Sequence, residues 1–111
     1  MGGLSAKSAQ EETMKKSKKY KDHLLKRLQD PREAAAYLNA ALEDEDPRVF
    51  LIALKDIAEA HGGISKLAHE TELNRVSLYR TLSLRGNPSF QSLIAILQAC
   101  NLDLSIRPAA A

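Results

Sequence analysis

The sequence predicts an all-α fold followed by one short C-terminal β-strand. Three observations carry that expectation. Alanine and leucine dominate a chain that has no tryptophan and few other aromatics, a composition suited to helices packed on helices. Apolar residues recur at spacings of three and four in several separate runs. Each run is bracketed by residues that start or stop helices. The 111 residues leave room for one small domain and a tail. The single cysteine rules out an internal disulfide and argues against a cysteine-based zinc site. No apolar run reaches membrane-spanning length and no signal-peptide pattern opens the chain, so a soluble, cytoplasmic protein is expected.

Residues 1–19 are polar, charged and aperiodic, and read as a disordered basic tail, with Met14 as an alternative start. Residues 20–45 read as N-terminal helices. Tyr20, Leu24, Leu25 and Leu28 make a short amphipathic helix. Asp30-Pro31-Arg32-Glu33 starts the next: Asp30 can cap, Pro31 suits the first helical position, and Glu33 can reach back in a capping box. That helix runs through Ala34, Tyr37, Leu38 and Ala41 to the acidic Glu43–Asp46.

Residues 46–101 read as a helix-turn-helix domain. Asp46-Pro47 repeats the start signal, and the helix it opens buries Phe50, Leu51, Leu54, Ile57 and Ala58 before stopping at Gly62-Gly63. A short helix follows over Ile64–Glu70, then a break at Thr71-Glu72-Leu73. Asn74 caps another helix, which runs to about Ser83. After the loop Leu84-Arg85-Gly86-Asn87, Pro88 opens a helix that buries Phe90, Leu93, Ile94 and Leu97. In 102–111, the C-terminal strand and tail, Leu102, Leu104 and Ile106 alternate with Asp103, Ser105 and Arg107, the period of a half-buried strand. With no partner strand in the chain, these three residues point to dimerisation with a second copy, or to another protein.

Two short helices across a three-residue break form the frame of a DNA-reading helix-turn-helix, here Ile64–Ser83. A small residue is needed where the helices cross, and Ala68 stands there. Leu73, five residues on, plugs the turn, and Leu78, five further, anchors the second helix. Arg75, Val76, Tyr79, Arg80 and Ser83 are then left outside. Arginine forks onto guanine edges, Val76 suits a thymine methyl, and Ser77 and Tyr79 can bond to phosphate or base. Ser65, Lys66, Asn74, Arg85 and Asn87 complete the expected DNA-binding set, with Arg85 and the Pro88 helix start on the flanking backbone. One departure stands out. Helix-turn-helix turns commonly place glycine before the turn hydrophobe, where φ is positive, and this chain has Glu72.

Charge distribution agrees with this reading more than net charge does. The chain carries +2 overall, but residues 1–30 hold eight Lys/Arg against four Asp/Glu and residues 31–60 three against seven. From Asn74 to Pro88 there are three arginines and no acid. Charge runs are ordinarily solvated surface, and two helices of a plain bundle remain the bland alternative. An enzyme is not expected. His23, His61 and His69 have no metal-ligand spacing, Cys100 lies on an apolar helix face, and Gly62-Gly63 lacks a phosphate-loop sequel. No cofactor or metal is therefore expected. The Glu43–Asp46 cluster reads as a solvated helix end, with mimicry of nucleic acid towards a basic partner as the sharper option.

The stretches AAAYLNAALEDEDPRVFLIALKDIA, GGISKLA, LNRVSLYRTLS and GNPSFQSLIAIL, between Asp30 and Pro108, resemble the addiction-module antidote family, the HigA-like antitoxins of bacterial type II toxin–antitoxin systems. That resemblance implies a lambda-repressor-like five-helix domain, here with an N-terminal helical extension and a short C-terminal strand, commonly as a homodimer. It implies repression of the operon's own operator, and neutralisation of a RelE/HigB-like toxin. A free-standing helix-turn-helix regulator without a toxin, and an interaction module that no longer binds DNA, stay open as alternatives.

Overall fold

The computed structural model describes residues 18–83 and 85–110. These residues form six helices and no strand. We label them α1 (18–27), α2 (Pro31–Leu42), α3 (Pro47–Ala60), α4 (Ile64–Thr71), α5 (Arg75–Thr81) and α6 (Phe90–Ala99). Lys18 and Lys19, within the stretch read as tail, belong to α1. The rest of that tail lies outside the described residues, as do Leu84 and Ala111.

Four of the helix starts follow one device, Asn74 of α5 among them. The side chains of Asp30, Asp46 and Ser89 accept the backbone N–H of Arg32, Arg48 and Ser92, which satisfies donors that a helix leaves open in its first turn. Glu33 does not close a capping box. It faces Arg27 at 3.6 Å, because the chain entering α2 from α1 brings that guanidinium within reach. Ser89, rather than Pro88, caps α6, which moves the helix start to Phe90. Phe90 then sits in the first turn, at the overhanging end of the helix, and is 71% exposed instead of buried.

Two helices end in the same motif. At the end of α3, Gly63 N–H donates to Ala58 O (3.0 Å) and Gly62 N–H to Glu59 O (3.2 Å), with both glycines at positive φ. At the end of α6, Leu102 N–H donates to Leu97 O (2.8 Å) and Asn101 N–H to Gln98 O (3.0 Å), with Asn101 at φ 62°. Both are Schellman closures, and Asn is the commonest substitute for glycine at the left-handed position. The second closure sets the direction of the chain after α6. Leu102 is turned back into the core of its own chain, while 103–110 continue without any ladder. A lone segment has no backbone partner from which to build a sheet.

The core is one cluster that joins all six helices. Leu28, Leu54, Ile57, Leu78, Ile96 and Cys100 are its largest fully buried side chains, and each buried Leu or Ile contributes roughly 1.5–3 kcal/mol. α2 packs on α3, while α4 packs on α3, α5 and α6. α1 is held to α3 by the Leu24, Leu25 and Leu28 side of the chain, by Lys21–Glu59 (3.2 Å), and by Gln29 donating to Ala60 O (3.4 Å). Tyr37 of α2 donates to Asp56 of α3 at 2.7 Å. Burial, followed by this bond and the nearby carboxylate, pushes the phenol up to about 12. The centre of this arrangement is α4, the element that carries α5 to the surface.

Candidate nucleic-acid interface

The α4–α5 unit is built from its turn outward. Thr71 closes α4: its hydroxyl donates to Leu67 O (2.7 Å) and accepts the N–H of Leu73 (3.3 Å), so one side chain ties both sides of the turn. Glu72 adopts φ 60°, ψ 14°. The left-handed residue anticipated at this position is thus present in a side chain that disfavours it. Glu72→Gly is expected to raise the unfolding free energy by about 1 kcal/mol, seen as a higher thermal midpoint. An unchanged or lower midpoint would show that no strain is released there.

Asn74 caps α5, its Oδ1 accepting Val76 N–H (2.8 Å) and Ser77 N–H (3.2 Å). Ala68 and Leu73 pack half-buried against the core, and Leu78 and Leu82 are buried in it. With the leucines of α5 pointing inward, Arg75, Val76, Ser77, Tyr79 and Arg80 are all exposed, Val76 at 64% and Tyr79 at 52%. Neither Arg75 nor Arg80 has an ion pair among the described residues. The Arg75 guanidinium lies 5.8 Å from the Tyr79 ring centre, one helical turn away, where a cation is drawn to an aromatic face. The outer surface of α5 is therefore two unpaired cations, one stacked on an aromatic ring, around an exposed valine.

The remaining expected residues are distributed around this helix unequally. Ser83 is half-buried and its hydroxyl donates to Arg80 O (2.7 Å), committing it to the helix end. Gly86 N–H donates to Ser83 O (2.8 Å). A Cβ on Gly86 would run into the Thr81 carbonyl, so the loop returns onto the end of α5 only because this residue is glycine. That return holds the exposed Arg85 and Asn87 beside the last turn of α5. Ser65 and Lys66 are exposed in the first turn of α4, with Lys66 Nζ 3.9 Å from Glu70 on the same helix. Of the residues assigned to self-association, Leu102 is buried in its own chain, and Leu104 and Ile106 are exposed at 45% and 93%.

Thr71 as the strut of the turn and Gly86 as its counterpart after α5 were not singled out from sequence. Thr71 looks like a helix end in either reading. Gly86 looks like any loop glycine until the Thr81 carbonyl is seen against it. The Arg75–Tyr79 stack was available from its four-residue spacing.

Elsewhere the side chains do structural work. Arg48, bonded to the Asp46 carboxylate at 2.7–3.0 Å, holds it below the ordinary carboxylate range, while Glu43, Asp44 and Glu45 are exposed. Cys100 is fully buried, and burial pushes its thiol up to about 11. A thiol kept protonated and covered does not act as a nucleophile. Iodoacetamide is accordingly expected to leave Cys100 unmodified at neutral pH until denaturant is added, as read by intact mass. Among the described residues, no group of three or more His, Cys, Asp or Glu could hold a metal ion, and no helix is long and apolar enough to cross a membrane.

Residues 16–108 match the model of a family described as a probable addiction module antidote protein. Over 80 residues the chain is 34% identical to an uncharacterized protein of Haemophilus influenzae, an alignment spanning 72% of this chain and 81% of that one. No solved structure matches.

Proposed function

Because the chain belongs to the addiction-module antidote family, we propose that it is the antitoxin of a toxin–antitoxin pair and binds its own operator through the helix-turn-helix α4–α5. The observation that carries the DNA-binding part is the outer face of α5, where Arg75 and Arg80 stand exposed and unpaired around Val76 and Tyr79. A helix seated by Leu78 and Leu82 and capped by Asn74 presents this face rigidly, as major-groove reading requires. In this reading Arg85, Asn87, Ser65 and Lys66 contact flanking phosphates. Ser77 and Asn74 sit exposed at the helix start, where their side chains can reach phosphate or base. In this reading 46–101 is the DNA-binding unit, 20–45 braces it, and a homodimer presents two such units to one operator. The toxin is of the RelE/HigB-like ribonuclease class, and the protein works in the cytoplasm.

The test is a gel-shift titration on the DNA upstream of the protein's own gene. Arg75→Ala and Arg80→Ala are each expected to weaken specific binding by ~1–3 kcal/mol. Affinity that is equal on this DNA and on an unrelated duplex would remove the operator reading. Co-expression with the neighbouring gene product, scored by rescue of growth, tests the antitoxin part separately.

A further inference from the structure

The two arginines on the outer face of α5 are not equivalent. Arg75 is the first residue of the helix, and Arg80 belongs to its last turn. The Arg75 guanidinium lies 5.8 Å from the Tyr79 ring centre, within reach of a cation–aromatic attraction. Arg80 has no such neighbour along the helix, because the residues three and four positions away are Val76, Ser77, Ser83 and Leu84. Its end of α5 receives the following loop instead. Gly86 lies against the Arg80 and Thr81 carbonyls, and Arg85, the residue before it, is exposed. Arg80 and Arg85 therefore share one edge of the unit, and Arg75 stands at the opposite end of the helix. Tyr79 is 52% exposed, and among the described residues the tyrosine hydroxyl that forms a hydrogen bond is that of Tyr37. The engaged part of Tyr79 is its ring.

We propose that Arg75 is the residue of α5 that reads a guanine edge, with Tyr79 positioning it through the ring, and that Arg80 binds the phosphate backbone beside Arg85. The proposal rests on the operator reading above and divides the work within that same surface. Two hydrogen bonds to guanine O6 and N7 require the guanidinium plane in one orientation. A long side chain already stacked on a ring loses less freedom when it adopts that orientation. Phosphate binding makes no such demand, because a mobile cation beside the backbone gains from its charge alone. Placement along α5 agrees with this division. In a docked helix-turn-helix the first residues of the second helix meet base edges.

The test uses the full chain in gel shifts on the DNA upstream of its own gene and on an unrelated duplex, each over a series of salt concentrations. Arg75→Ala is expected to lower the ratio of the two affinities about tenfold or more. Arg80→Ala is expected to lower both affinities alike, with the slope of log affinity against log salt falling by about 1. Tyr79→Leu should lower the ratio about two- to fivefold, and Tyr79→Phe should leave it at the parent value. Combined with Arg75→Ala, Tyr79→Leu should have no further effect, a result that general loss of structure could not give. Equal losses from Tyr79→Phe and Tyr79→Leu would move the role to the hydroxyl and overturn the proposal. So would a Tyr79→Leu effect that persists in full without Arg75. Discrimination lost in Arg80→Ala but kept in Arg75→Ala would reverse the two arginines and overturn the division, while leaving α5 as the DNA-binding helix. A parent chain that binds both duplexes equally overturns the operator reading and this proposal with it.

Discussion

Leu78→Ala is expected to lower the unfolding free energy by about 2–5 kcal/mol, the largest single-residue effect on stability foreseen in α5. Leu78 is among the largest fully buried side chains of the core and is the inward anchor of a seven-residue helix. A helix that short has no stability in isolation, because nucleation outweighs the few bonds that follow. Its shape depends on the leucines that dock it on α4 and on the Asn74 cap. A domain of this size has about 5–15 kcal/mol in total, so truncating Leu78 removes a large share. Urea unfolding followed by far-UV circular dichroism measures the loss. Val76→Ala, on the exposed side of the same helix, is the control and should stay within about 0.5 kcal/mol of the parent. Equal effects at the two positions would mean that α5 is not seated through its inner face.

Replacing Arg75 and Arg80 together is expected to cost about 2–6 kcal/mol of operator binding if the two act independently, a loss of about thirtyfold or more. Both guanidinium groups are exposed and free of ion pairs among the described residues, so the folded state depends on them little. The loss of the Arg75–Tyr79 stack should change stability by no more than about 1 kcal/mol. Affinity and stability therefore separate in this variant. Where a guanidinium contacts phosphate, the slope of log affinity against log salt should fall by about 1 per arginine. Where it contacts a base edge, discrimination between operator and unrelated DNA should fall instead. Undiminished affinity in a folded double variant would move the DNA-binding surface off α5.

Much of this structure was legible from local chemistry. Asp30-Pro31, Asp46-Pro47, Gly62-Gly63 and Asn74 announce their helix ends because each acts within a few residues of itself. Glu72 was foreseen in a left-handed turn for the same reason. The misreadings involve competition between neighbours or elements. Glu33 had two possible partners, its own helix start and Arg27, and the entry angle of α1 decided between them. Phe90 fits the apolar pattern of α6, but Ser89 takes the cap and leaves the ring in an overhanging first turn. Leu102 follows the alternation of the last segment, and the Asn101 closure supplies the turn that buries it. Of the candidate interface, the identity of the outer residues was readable from helical spacing. Gly86 was not, because its role depends on a carbonyl five residues away that only the folded chain brings near.

The outward side chains of α5 share almost nothing with the core that holds the helix in place. Only Asn74, which caps, and Leu78 and Leu82, which dock, are tied to the fold, while Arg75, Val76, Tyr79 and Arg80 end in solvent. Substitutions at such positions ordinarily change stability by about 0.5 kcal/mol or less, with up to about 1 kcal/mol where the Arg75–Tyr79 pair is broken. Four positions on one helix can therefore drift through many residue combinations while the scaffold beneath stays equally stable. Divergence between copies of this gene is expected to concentrate there, with the leucines, Asn74 and Gly86 held constant.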